Sequence, residues 1–133
     1  MSTRSLHKFY ENETQLEDDN PTAVIYRHWD GSIEGAGQDL INFLIELQPL
    51  QDNRFDDASY LSAKYVIYLA RLFAKDWEQN PLNFLSVGIV PNGTDCWEEY
   101  EYKIICEIQG NGLPKILLND FELLQEIEEG TEV

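Results

Sequence analysis

From Asp57 to about Gln79 apolar side chains return at helical spacing, and no other feature restricts the fold as much. Ala58, Leu61, Tyr65, Val66, Leu69, Leu72, Phe73 and Trp77 fall on one stripe, while Ser59, Ser62, Lys64, Arg71 and Lys75 lie mostly off it. The spacing predicts a long helix with one face against a core. Asp56 or Asp57 can cap its start, and Asn80-Pro81 ends it. A helix of this length needs a broad apolar partner. Tyr100 to Ile108 supplies one: Tyr100, Tyr102, Ile104, Cys106 and Ile108 alternate with Glu101, Lys103 and Glu107, following Glu99. Period two with one polar side predicts a strand with one wet face.

The remaining elements are shorter. Thr22 to Trp29 reads as a strand, with Val24, Tyr26 and His28 on one face and Ile25, Arg27 and Trp29 on the other. Gln38 to Gln48 reads as a helix whose Leu40, Ile41, Phe43, Leu44, Ile45 and Leu47 cover more than half its circumference. Leu82 to Val90 is a second strand, and Lys115 to Leu118 a short edge strand. Asn119 or Asp120 caps a last helix through about Glu128. The expected fold is α+β: a small antiparallel sheet of three to four strands, with two to three helices packed on one face. Residues 1–20 read as an acidic N-terminal arm, loosely attached. Residues 21–129 form a single domain, and 130–133 a tail.

Composition narrows the classes. The 133 residues are 43% hydrophobic and 12% aromatic, too rich for a disordered chain. The first residues carry no apolar stretch of the secretory kind, and no run is long enough to span a membrane. A cytoplasmic location is the expectation. Twenty-five acids against nine bases give a net charge of −16. Direct nucleic-acid binding and attachment to an anionic membrane are not expected, because both need clustered Lys and Arg. Cys96 and Cys106, ten apart along one segment, are expected to be free thiols, since an extended strand would separate them by roughly 33 Å.

The densest chemistry lies in Ile25-Tyr26-Arg27-His28-Trp29-Asp30-Gly31, followed by Ser32-Ile33-Glu34-Gly35-Ala36-Gly37 and a helix. A cation, an imidazole, an indole and a carboxylate follow one another at a strand end. Tyr26 to Gly31 resembles a family of small uncharacterised bacterial and phage proteins, in which this strand reads much like YRHWDGYPEG. Ala58-Ser59-Tyr60-Leu61-Ser62-Ala63 and Glu99-Tyr100-Glu101-Tyr102 are similar to two further stretches of that family. The resemblance covers roughly residues 22–108. Ser32-Ile33 stands where the pattern has Tyr-Pro. It implies one domain built around the first strand, and no reaction or ligand.

The expected function is a non-enzymatic module that binds a protein partner or a small ligand. Its expected site is Arg27, His28, Trp29, Asp30 and Tyr102, with no metal or cofactor. His28 and Asp30, two apart, can point the same way as a base and its orienting or metal-binding partner. Asp95, Glu98 or His7 are the third ligands a metal would require. No HExxH, P-loop, GxSxG or CxxC pattern supports catalysis. A structural reading competes, with His28 bonding a backbone group or the Tyr102 hydroxyl and Asp30 capping the turn. Trp29, Trp97 and Tyr100 are expected to cluster if the first and third strands are neighbours. A third reading is an acidic decoy that imitates nucleic acid. It needs a continuous stripe from Glu99, Glu101 and Glu107, the N-terminal acids and Glu122, Glu126, Glu128 and Glu129, and Lys103 interrupts it.

Overall fold

The long helix is present, and what it packs against differs from expectation. The structure, a computed structural model, describes residues 3–77, 80, 82, 87–119 and 121–122. The elements are β1 (Ser5–Tyr10), α1 (Glu13–Glu17), β2 (Ala23–Arg27), a π-type turn (Ile33–Gly37) running into α2 (Gln38–Leu47), α3 (Ala58–Trp77), β3 (Val87–Ile89), β4 (Tyr100–Ile108), β5 (Pro114–Leu118) and β6 (Phe121–Glu122). The strands form one sheet in the order β3-β2-β1-β4-β5-β6.

The N-terminal arm is corrected to a central strand. β1 pairs antiparallel with β2 and parallel with β4, so the sheet is mixed and larger than expected. All six β1 residues are buried. Ser5, His7 and Phe9 face the helices beside Ile25, Arg27 and Tyr102, while Leu6, Lys8 and Tyr10 take the other face. Polar residues are held there by partners. Lys8 Nζ sits 3.2 Å from a Glu101 carboxylate oxygen and 3.6 Å from Asp19. The Glu11 carboxylate accepts from the Ala58 amide at 2.9 Å, tying this segment to the start of α3. Asp57 caps the same end, accepting from the Tyr60 amide at 3.2 Å.

The core lies between the sheet and the α2–α3 pair. Phe9, Ile25, Tyr102, Ile104, Ile116 and Leu118 meet Leu40, Phe43, Leu44, Leu61, Tyr65, Leu69 and Phe73. Along α3, Ala58, Leu61, Tyr65, Leu69 and Phe73 are buried as expected, while Ser62, expected off the stripe, is buried too, and Ile45 of α2 points out, 53% exposed. The β4 row expected to be wet is so only at its ends, where Glu99 and Glu107 are exposed: Glu101 and Lys103 are half-buried and Ile105 is fully buried. Both thiols are free, and burial pushes that of Cys106 up to about 12.

At the C-terminal end the expected helix start is corrected to strand. Asn119 takes a left-handed conformation (φ 48°), and its Oδ1 accepts from the Glu101 amide at 3.0 Å. The chain therefore turns back, and β6 pairs with β5. The rest of that helix and residues 83–86 of the second strand lie outside the described residues.

Candidate functional site

The Arg27–Gly31 stretch folds into a clasp at the end of β2. Arg27 follows Ile25 by two and so turns into the helix-facing side, where it is 1% exposed. Its Nη1 lies 2.9 Å from Asp39 Oδ2 in the first turn of α2. That contact falls outside hydrogen-bond geometry, so the attraction is electrostatic. Its Nε donates to the Trp29 carbonyl at 3.0 Å, and the guanidinium lies over the rings of Phe73 and Trp29, 5.5 and 6.0 Å from their centroids. A cavity of about 160 Å³ adjoins the pair, lined in part by Arg27, Asp30, Glu34, Asp39 and Phe73.

The turn after β2 is set by close approaches. Asp30 is left-handed (φ 57°), and its carbonyl accepts from the Ala36 amide at 2.6 Å. A Cβ on Gly35 would stand 2.2 Å from that carbonyl oxygen, so only glycine fits. The Gly31 amide donates to the Thr3 carbonyl at 2.9 Å, and the Tyr102 hydroxyl to the Gly31 carbonyl at 2.7 Å. Lead-in to β1, turn and β4 are thus tied together.

The five expected site residues therefore separate. Arg27 and Asp30 share the cavity, with Trp29 packed on Phe73 at 5.2 Å between ring centroids. Tyr102 is buried and holds the turn rather than His28. The His28 Nδ1 bonds the Tyr26 hydroxyl, its neighbour on the same strand face. The left-handed Asp30 breaks the alternation that was to align it with His28. Trp97 joins no cluster with Trp29, because β1 lies between β2 and β4. It is 74% exposed beneath Arg4. Among the described residues no group of three or more His, Cys, Asp and Glu side chains could hold a metal ion.

His7, expected from the sequence only as a candidate third ligand of a metal, is the buried imidazole of the core. Its Nε2 lies 3.0 Å from Ser5 Oγ, and its ring stacks on Tyr102 at 5.0 Å and tilts against Tyr65 at 5.0 Å. Burial first, then the Arg27 charge, hold its pKa well below the usual histidine range. Burial likewise raises the Tyr65 and Tyr102 hydroxyls. These groups are a neutral imidazole and protonated phenols at neutral pH. A pH effect follows with a definite sign. The unfolded chain takes a proton at about 6.5 that the folded His7 refuses, so its contribution is complete above that pH and is lost as pH falls through it. Urea unfolding of the parent between pH 7.5 and 5.5 should lose up to about 1.4 kcal/mol per pH unit that His7→Phe does not lose. Equal pH slopes in the two proteins would refute this.

A second feature lies on the outer side of the helix pair. A groove of about 240 Å³ runs between α2 and α3 over Phe43, Leu47, Leu50, Ile67 and Tyr68. Ile67 is 68% and Leu50 53% exposed. The Arg71–Glu46 ion pair crosses it, and beyond that bridge a second hollow of about 470 Å³ continues along Leu72 and Lys75. Lys64, Tyr68, Arg71 and Lys75 stand at i, i+4, i+7 and i+11, one line along α3. The Arg71 guanidinium lies 5.2 Å from the Tyr68 ring centroid. The hydrogen bond between the pair lowers the Glu46 pKa and raises that of Arg71.

Comparisons with protein families, curated proteins and solved structures found no match.

The two features offer different chemistry. In the clasp the buried Arg27 guanidinium is spent on Asp39 and the Trp29 carbonyl, while Asp30 is exposed. The groove sets large apolar side chains in water beside charged ones. Its signal in the sequence was Lys64, Ile67, Arg71 and Lys75 on the side of α3 away from the core stripe. Among the described residues, no helix is long and apolar enough to cross a membrane.

Proposed function

We propose that the protein is a non-enzymatic binding module whose contact surface is the α2–α3 groove. The observation that carries this is Leu50 and Ile67, both more than half exposed, flanking a groove floored by Phe43, Leu47 and Tyr68. Exposed large apolar groups gathered beside a hollow favour a protein partner, and a pair of helices suits an amphipathic segment laid along it. The Arg27–Gly31 clasp supports that surface from below, because Asp39 fixes the start of α2 and Phe73 belongs to α3. The decoy reading has less behind it. Glu101 is engaged by Lys8 and Lys103, and Glu13 lies 3.4 Å from Lys115, so these acids do not form an open row.

The test uses a labelled amphipathic peptide of roughly 18 residues, long enough to hold a helix, with leucines on one face and glutamines on the other. Fluorescence anisotropy should show binding to the parent. Leu50→Asp/Ile67→Asp should weaken it at least about tenfold, because it places charge on the apolar contact. Equal binding by parent and double variant would refute the groove, as would no binding to the parent.

A further inference from the structure

We infer that the segment taken by this groove is acidic, and that one of its carboxylates replaces Glu46 on Arg71. The inference rests on the groove reading and names its partner's chemistry. The first support is where the cations are. The chain has nine basic residues against twenty-five acids. Three of the nine, Lys64, Arg71 and Lys75, line this one surface, with Glu46 the acid among them. Other cations are engaged elsewhere: Lys8 with Glu101 and Asp19, Arg27 with Asp39, Arg54 with Asp52, Lys103 with Glu101 and Lys115 with Glu13. Among the described residues no carboxylate stands within ion-pairing distance of Lys64.

The second support is spacing. Lys64, Arg71 and Lys75 advance along α3 by seven and four residues, roughly 10 and 6 Å of rise. A helix lying along α3 has the same rise per residue. Carboxylates at i, i+7 and i+11 on it come opposite all three cations, while its leucines reach Ile67 and Leu50. The third is the bridge itself. Arg71 and Glu46 are both exposed, 59% and 50% at the side chain. An exposed pair of this kind is worth little, so a carboxylate arriving with apolar contacts can take Glu46's place. The −16 charge of the whole chain opposes an acidic partner at long range. At physiological salt the screening length is about 8 Å, so the distant acids are damped while contact pairs persist.

The test compares three peptides of one leucine pattern, with glutamate, glutamine or lysine on the polar face. Binding to the intact parent at physiological salt should rank glutamate over glutamine over lysine, with about tenfold between the first two. Glu46→Gln should tighten the glutamate peptide several-fold by freeing Arg71. Lys64→Glu/Arg71→Glu/Lys75→Glu should reverse the ranking, which also shows that this variant is folded. Glutamate and glutamine peptides binding alike to the parent, with both lost in Leu50→Asp/Ile67→Asp, would overturn this inference and leave the groove standing. No binding by any peptide would remove both. Sedimentation of the parent alone should show a monomer. Self-association abolished by the triple variant would make the occupant a second copy and overturn the acidic-segment assignment.

Discussion

A chain lacking residues 1–12 is expected not to fold. β1 is the third strand of the sheet's order, with β2 on one side and β4 on the other, and both ladders go with it. Leu6, Phe9 and Tyr10 are at most 3% exposed. Burial of each is worth about 1.5–3 kcal/mol, so the three side chains alone approach the whole stability of a small domain, about 5–15 kcal/mol. The deletion also removes the Glu11 carboxylate from the first amide of α3 and the Thr3 carbonyl from Gly31. Circular dichroism and urea titration of the truncated chain should show no cooperative transition. A cooperative transition within about 0.5 kcal/mol of the parent is what a loosely attached arm would give, and would refute the central strand.

The reason this strand escaped a reading of residues is physical. Its two faces are Ser5, His7, Phe9 and Leu6, Lys8, Tyr10, so each mixes polar and apolar groups and period-two alternation is absent. Polar residues in a strand suggest exposure, whereas these are buried among distant groups: Glu101 and Asp19 pair with Lys8, and the Tyr65 and Tyr102 rings pack on His7. Nothing local in Leu6-His7-Lys8 names those partners. Where one face is uniformly apolar, the pattern was sufficient: Leu61, Tyr65, Leu69 and Phe73 mark α3, and Tyr102 and Ile104 mark the inward face of β4. Asp30-Gly31 announced its turn, but the left-handed φ of Asp30, which parts it from His28, was not legible. The parallel β1–β4 pairing was equally hidden, since it joins segments some ninety residues apart. The groove was legible only as residues off a core stripe, because its other wall comes from α2.

Asp39→Ala is expected to cost about 3 kcal/mol, the largest loss from a single side chain outside the core. The reason is what remains. Arg27 is 1% exposed, packed under Phe73 and Trp29, with one of its contacts a carbonyl and its counter-charge the Asp39 carboxylate. Removing the carboxylate leaves a guanidinium that cannot reach bulk water. The low end of the usual 3–5 kcal/mol applies, because the Asp39 side chain is itself 21% exposed and its attraction is partly screened. Arg27→Met should cost less: the stem still packs on Phe73, and Asp39 can turn to solvent. Arg27→Met/Asp39→Ala should then cost little more than Arg27→Met alone, giving a coupling energy of about 1–3 kcal/mol in a urea-denaturation cycle. Arg71→Met and Glu46→Ala, across the exposed bridge, should each cost less than about 1 kcal/mol. If the buried double variant loses the plain sum of its singles, the Arg27–Asp39 attraction does not hold β2 to α2. If the coupling is found, Arg27→Met should still bind the glutamine peptide like the parent, because the methionine keeps the packing on Phe73 and Arg27 does not line the groove.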